Sequence, residues 1–132
     1  MSPRLFTREE ADSLLPEVAP LLWQARDLKK QHDDLQEQIA ALQSQAKGNG
    51  HAVDADLIKA RRQQQEAALA INAIIDQVKK LGPEIKDLDM GLIDFRSEMN
   101  GRVVNLCWKL GEENVAWWHE LDKGYTTRQP LD

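Results

Sequence analysis

Apolar residues recur along the first two thirds of the chain at intervals of three and four, the spacing that places them on one face of an α-helix. The first series runs from Val18 to Ala46 and the second from Leu57 to Leu81. Two helices of similar length joined by a short loop, which we predict at about 47–54, must lie antiparallel. The pattern therefore predicts a long, coiled-coil-like helical hairpin over residues 8–81.

Residues 7–20 predict where the first helix begins and where it breaks. Thr7 and Glu10 have the spacing of a capping box, which predicts that the first helix begins near Arg8. Pro16 and Pro20 each lack an amide donor and clash with the preceding turn of a helix. We therefore predict a short helix, a break at one of the prolines and a long helix after it.

Beyond residue 91 the pattern changes to three segments with strand composition, at 92–97, 102–110 and 115–121. Asn100-Gly101 lies between the first two and favours a type I′ hairpin turn. The sequence thus predicts an α+β fold, in which a three-stranded antiparallel β-meander at 92–121 covers the open end of the helical hairpin. Residues 122–132 form a tail, and the whole chain, 1–132, forms a single domain.

Register decides which side chains share a face of the sheet. The Asn-Gly turn places Phe95 opposite Leu106 and Asp94 opposite Cys107, so that one face is apolar and the other polar. A two-residue loop at Glu112-Glu113 then predicts four pairs with the third strand: Trp108 with Trp117, Cys107 with Trp118, Leu106 with His119, and Asn105 with Glu120. A three-residue loop is the alternative, and it would turn the third strand over.

Composition narrows the classes of function. The net charge of −5 and the pI near 5.2 argue against a nucleic-acid partner, because such binding depends on clustered Lys and Arg. One cysteine cannot form an internal disulfide, and the first residues lack the apolar run of a secretory signal. No apolar stretch approaches the roughly 18 residues needed to cross a membrane. We expect a cytoplasmic protein with no membrane partner.

The polar face of the predicted sheet and the tail supply the ligand-binding candidates. These are Asp94, Arg96, Asn105, Cys107, Trp118, Glu120 and Arg128. One interpretation is an ordinary solvent-facing surface with a cross-strand ion pair, followed by a loose tail. The other is a shallow binding face, with Trp118 as an apolar platform and Arg128 orienting an acidic ligand.

His119 is the candidate residue both for a metal site and for the base that would activate a nucleophile. Zn and Mn sites combine His with carboxylates, so Asp87 and Asp89 in the preceding linker are its candidate metal partners. The alternative is a buried His bonded to a carboxylate that orients the linker. The predicted register places Cys107 and His119 on opposite faces of the sheet, which separates a nucleophile from its base. No catalytic residue is therefore assigned, and the sequence identifies no cofactor.

Three segments carry a resemblance to a known family. They are FTREEADSLLPEV at 6–18, KDLDMGLIDF at 86–95 and LCWKLGEENVAWWHELDKGYTTRQP at 106–130. In these segments the chain resembles the bacterial domain-of-unknown-function family 2203 (DUF2203). The resemblance implies a small cytosolic prokaryotic protein. Because the family carries no established activity, the resemblance assigns no functional residue.

Two functions of different classes fit these observations. The first is a non-catalytic interaction or assembly protein, because a projecting helical seam with Gln-rich flanks suits a homodimer or a protein partner. The alternative is a protein that binds a small ligand or a metal, with its site at the junction of the linker at 86–94, the sheet and the tail. Whether the protein is an enzyme is left open.

Overall fold

A computed structural model describes residues 4–49 and 51–132, and for residues 46–49 and 51–54 it describes the backbone alone. Two long helices precede an antiparallel sheet of five strands in the order β1-β2-β3-β4-β5. The predicted α+β fold class, a helical hairpin followed by a C-terminal antiparallel sheet, is confirmed. The elements are α1 (Arg8–Asn49), α2 (His51–Leu81), β1 (Glu84–Asp87), β2 (Leu92–Met99), β3 (Arg102–Lys109), β4 (Trp117–His119), a 3-10 turn (Tyr125–Thr127) and β5 (Gln129–Pro130).

The start of α1 is fixed by the predicted capping box. The hydroxyl of Thr7 accepts from the amide of Glu10 at 3.0 Å, and the Glu10 carboxylate accepts from the amide of Thr7 at 2.9 Å. Phe6 is buried, its amide donates to the carbonyl of Arg96, and its ring lies edge-on to Phe95 with the centroids 5.2 Å apart. These contacts join the beginning of α1 to strand β2.

The predicted break at the prolines is wrong, because α1 runs through Pro16 and Pro20 without interruption. Both prolines lie on the exposed side of the helix, where carbonyl groups without a helical partner can bond to water. The opposite side is held down, since Val18 and Leu22 are fully buried in the core. The packing of these side chains in the core therefore outweighs the free energy that the two prolines cost the helix.

The two seams predicted for the helices are buried or half-buried wherever side chains are described. Only the open end of the hairpin joins the core shared with the sheet, through a group of side chains that reaches Leu28 on α1 and begins at Ile74 on α2. The described side chains beyond these positions lie outside this core, although Lys29 on α1 still pairs with Asp89 after β1 at 3.0 Å. The backbone is helical up to Asn49 and again from His51, while Gly50, inside the loop predicted at 47–54, lies outside the described residues. None of the described helices is both long and apolar enough to cross a membrane.

The register of β2 with β3 is the predicted one, with Asp94 opposite Cys107 and Phe95 opposite Leu106. At the turn between them Asn100 and Gly101 have φ of 53° and 82°, as the two central residues of a type I′ turn require. Ile93, Phe95 and their partners on β3 belong to the core beneath the helices. Side chains alternate along a strand, so Asp94 and Cys107 lie on the opposite face, which we call the outer face.

The sheet has two strands more than the three predicted. β1 overlaps the start of the predicted linker and pairs with β2 through a register shift between Ile85 and Asp87. β5 forms in the predicted tail and pairs with β4, with Pro130 opposite Trp117. Both strands are too short, at four and two residues, for a repeating pattern to reveal them.

The predicted register of the third strand is wrong by one residue. β4 places Trp117 opposite Cys107, Trp118 opposite Leu106 and His119 opposite Asn105. Trp117 and His119 therefore lie on the outer face, and Trp118 lies on the helix face, as the three-residue-loop alternative implied.

The cause of this register is a tether between α1 and the connection that precedes β4. The amide of Val115 donates to the Asp12 carboxylate at 2.7 Å, and its carbonyl accepts from Arg8 Nε at 2.8 Å. Val115 is itself fully buried, so the helix holds the connection in place. Pairing with β3 consequently starts only at Trp117.

Candidate metal centre

Three neighbouring strands bring one carboxylate, one thiol and one imidazole together on the outer face. These groups belong to Asp94 on β2, Cys107 on β3 and His119 on β4, and one potential ligand atom from each lies within 4.8 Å of the other two. The residues are 3%, 0% and 2% exposed, respectively. We call this group the buried triad.

The imidazole of His119 is fixed at both nitrogens. Its Nδ1 lies 2.7 Å from the carbonyl oxygen of Glu120, and because a carbonyl can only accept, Nδ1 carries a hydrogen. Its Nε2 lies 3.1 Å from both carboxylate oxygens of Asp94. A proton must therefore lie between Nε2 and the carboxylate, on one partner or the other.

Burial sets the charge of the triad. It raises the pKa of Asp94, and the neighbouring imidazole of His119 partly opposes this shift. Burial, with a contribution from the Asp94 carboxylate, also raises the pKa of the Cys107 thiol from 9.0 to about 11. The raised pKa keeps the thiol protonated at neutral pH, and the hydrogen-bond geometry places one proton between His119 and Asp94, so the buried triad in this arrangement carries no net charge.

Part of the chain that was predicted as a tail covers the thiol. Arg128 forms two hydrogen bonds with the carboxylate of Glu112, at 3.1 and 2.5 Å. Its guanidinium stacks on the ring of Trp117 at 4.5 Å and on the ring of Tyr125 at 4.4 Å. Arg128 Nη1 lies 3.9 Å from Cys107 Sγ. We call residues 125–131 the C-terminal strap.

The sequence family is decided by a match over almost the whole chain. Residues 4–131 match the model of DUF2203, described as "Uncharacterized conserved protein". The chain belongs to the DUF2203 family. No curated protein and no solved structure matches it. Membership in DUF2203 confirms the resemblance found in the sequence and assigns no activity to the chain.

The triad is unsuited to nucleophilic catalysis in the arrangement described. Cys107 and His119 share a face, which corrects the prediction that they point apart. The imidazole is nevertheless engaged by Asp94 and by the carbonyl of Glu120, so neither nitrogen is left to accept the thiol proton. The raised pKa of Cys107 also keeps the reactive thiolate scarce.

The same geometry suits a metal ion. Zinc bonds of 2.0–2.1 Å to nitrogen and oxygen give a tetrahedral edge of about 3.3 Å, close to the 3.1 Å between His119 Nε2 and Asp94. Histidines that bind metal through one nitrogen usually donate from the other to a carbonyl or carboxylate, as Nδ1 of His119 does to Glu120. Zinc binds to nitrogen of His, sulfur of Cys and oxygen of Asp, the three ligand types that this site offers.

The predicted metal partners of His119 lie elsewhere. Asp87 accepts from the amide of Met90 at 3.0 Å and so closes the turn after β1. Asp89 is largely exposed and pairs with Lys29 on α1 at 3.0 Å. A buried histidine bonded to a carboxylate, the predicted alternative, is present, but its partner is Asp94 on strand β2 of the same sheet rather than Asp87 or Asp89.

The ligand-binding candidates divide between the two faces of the sheet. Asp94 and Cys107 lie opposite each other on the outer face, and the half-buried Arg96 and buried Asn105 form the next row on the same face. Trp118 and Glu120 do not join them, because the corrected register turns both toward the helices. There Glu120 pairs with Arg102 at 2.7 Å, and the Arg102 guanidinium lies 5.6 Å from the centre of the Trp118 ring.

Sequence reasoning did not select Trp117, Glu112 or Tyr125, which surround Arg128. The alternative register of the third strand could have identified Trp117, because any loop that turned this strand over would have moved Trp117 to the outer face. Glu112 was assigned to a turn, and no repeating pattern marks Tyr125. Trp117 and Glu112 contact Arg128 from 11 and 16 residues away along the chain, and Tyr125 contacts it from the 3-10 turn.

Proposed function

We propose that this protein binds one divalent transition-metal ion, of the zinc class, at Asp94, Cys107 and His119. The supporting observation is the convergence of three different buried ligand groups within 4.8 Å, with the histidine already oriented by a carbonyl. The three groups already contact one another or neighbouring groups, and an ion would replace the hydrogen bond between His119 and Asp94 with bonds to all three. This metal-binding role is preferred to the assembly role because it rests on a defined set of atoms.

Charge balance favours a divalent ion. The triad without an ion holds two exchangeable protons, one on the Cys107 thiol and one between His119 and Asp94. A divalent ion would replace both protons, leaving a thiolate, a carboxylate and a neutral imidazole, so the net charge of the site would stay at zero. Arg128 Nη1, 3.9 Å from Sγ, would stabilise the thiolate. Three protein ligands would leave one tetrahedral position for water or a small ligand.

Cobalt(II) is the best probe of this proposal, because its absorption reports thiolate ligation directly. Protein freed of metal with a chelator is titrated with Co²⁺, and we expect a thiolate-to-cobalt charge-transfer band that saturates at one ion per chain. Zinc should then bleach the band. Proton release measured with a pH indicator should approach two protons per ion.

Matched variants locate the site. Cys107→Ala should abolish the charge-transfer band, and His119→Gln should weaken binding strongly. Asp89→Asn and His32→Gln change similar side chains outside the triad and should bind as the wild type does. Absence of a cobalt band in the wild type, together with no change of its melting temperature in zinc, rejects the proposal.

Assembly through the helical hairpin is a second candidate function, supported by one feature of α2. Ile58 and Leu69 are 59% and 62% exposed, and eleven residues of helix, or about three turns, place them on the same side. We infer that this side could contact a second copy or a protein partner. Sedimentation should then show a dimer that Ile58→Gln with Leu69→Gln dissociates. A wild type that remains monomeric at high concentration contradicts self-assembly, and the cytoplasmic location stays a prediction.

A further inference from the structure

The buried triad lies on the sheet face that the helices do not cover. Helices α1 and α2 pack on the opposite face, through Ile93, Phe95 and their neighbours. Even so, Cys107 is 0% exposed. The Cys107 thiol has two neighbours on this side, Trp117 opposite it in the sheet and Arg128 of the C-terminal strap, whose Nη1 lies 3.9 Å from Sγ.

The strap is attached to the sheet by few contacts. Its strand β5 has two residues, and one of them is Pro130, which has no amide to donate. The amide of Leu131 donates to the carbonyl of Ala116 at 2.9 Å. Most strap residues are exposed to solvent, and only Leu131 contributes to the core. Segments with so little buried apolar contact open at a lower free energy than the core does.

The clasp between Arg128 and Glu112 is the strongest of these attachments. Two charge-assisted hydrogen bonds join the guanidinium to the carboxylate, and the rings of Trp117 and Tyr125 hold its plane. Both side chains are largely buried, at 12% and 23% exposure, so water screens the pair poorly. The amide of Lys109 also donates to Glu112 at 2.8 Å, which fixes the carboxylate on the β3 side.

We propose that the C-terminal strap, residues 125–131, is a gate latched by Arg128 and Glu112, whose opening admits ions and small reagents to the buried triad. The part that concerns ions rests on the proposed metal-binding function. Access to the Cys107 thiol does not depend on any metal, so the gate can be tested even if that function fails.

The test measures the rate at which Cys107 reacts with an aromatic disulfide reagent at pH 8 in metal-free protein. Glu112→Gln and Arg128→Gln each remove one charge of the clasp. We expect both variants to react about tenfold faster than the wild type, because losing one charge-assisted hydrogen bond raises the equilibrium constant for local opening by about that factor. Arg102→Gln is the matched control, since Arg102 also pairs with a glutamate and lies over a tryptophan but on the helix face. It should react at the wild-type rate.

The two clasp variants separate access from thiol acidity. Arg128 lowers the pKa of Cys107 and Glu112 raises it, so their removal shifts the fraction of thiolate in opposite directions. Faster reaction in both variants therefore means that access has increased. Equal rates in all four proteins, or acceleration by Glu112→Gln alone, would overturn the gate.

Amide hydrogen exchange in the wild type provides a measurement that needs no variant. The Leu131 amide should exchange at least about tenfold faster than the amides in the centre of the β2–β3 pair, because the strap opens without the sheet. Exchange as slow as in β2 and β3 contradicts a separate opening. If the wild type binds zinc, both clasp variants should take it up and release it faster than the wild type does. A gate without any zinc binding would reject only the metal-binding function.

Discussion

Among the side chains that the structure describes, two histidines lie next to an aspartate, in opposite surroundings. On the hairpin, His32 is 3.2 Å from Asp33, and their side chains are 34% and 57% exposed. In the sheet, His119 is 3.1 Å from Asp94, and both side chains are 2% exposed. Water can replace either partner of the first pair and cannot reach the second. Burial, and not distance, therefore separates a surface contact from a candidate centre.

The largest expected difference between the two pairs is in stability. Asp94→Ala should lower the free energy of unfolding by about 3 kcal/mol, because it leaves His119 Nε2 buried without a partner. Asp33→Ala should change it far less, since that pair is exposed and water can replace either partner. Urea unfolding of both variants gives the comparison, and similar losses would show that the His119–Asp94 pair is no more important than a surface contact.

Zinc should act on one pair and not on the other. At a free zinc concentration of 100 times the dissociation constant, binding to the native state alone adds about 2.7 kcal/mol to the free energy of unfolding. His32→Gln should keep this gain, and His119→Gln should lose it. Thermal or urea unfolding with and without zinc provides the measurement. A gain that survives His119→Gln would place the ion elsewhere.

Alkaline pH should reduce the stabilising contribution of the buried triad alone. The Cys107 thiol holds its proton more strongly in the folded state, where its pKa is about 11, than in the unfolded state, where it is near 9.0. Its stabilising contribution is therefore complete below about pH 9 and is lost as the pH rises toward 11, by up to about 2 kcal/mol. The check is urea unfolding of metal-free wild type and Cys107→Ala between pH 8.5 and 10.5. An identical pH dependence in the two proteins would contradict the raised pKa.

The smallest effect is expected on the hairpin. Gln64 Nε2 donates to Gln36 Oε1 at 2.6 Å across the two helices, in an exposed position. Gln64→Ala should lower the free energy of unfolding by about 0.5 kcal/mol, as for a hydrogen bond that water can replace. A loss above about 1.5 kcal/mol in urea unfolding would mean that this end of the hairpin depends on polar contacts as strongly as the sheet does.

Local patterns predicted the parts of the fold that depend on near neighbours. Thr7 and Glu10 marked the helix start, and Asn100-Gly101 set the β2–β3 register, because each signal acts within a few residues. The prolines were misjudged because their local cost is outweighed by burial of Val18 and Leu22 in a core shared with the sheet. Local pattern therefore failed where distant packing decided the outcome.

Prediction of the candidate metal centre depended on contacts between residues that are far apart in the chain. Cys107 and Asp94 were correctly placed opposite each other, while His119 was assigned to the wrong face by a shift of one residue. The contacts that set its register reach Val115 from α1 across 103 and 107 residues of chain. No local pattern encodes contacts of that span, and in a strand one residue of shift changes the face of every side chain.

The tether at Val115 has a consequence for folding kinetics. Asp94 and Cys107 meet as soon as the β2–β3 hairpin closes, which is a fast, local event. His119 joins them only after α1 has docked and fixed Val115, and forming contacts over more than 100 residues of chain is slow. A metal-binding state would thus appear late in refolding, after most of the sheet has formed, and added zinc should leave the earliest folding phases unchanged.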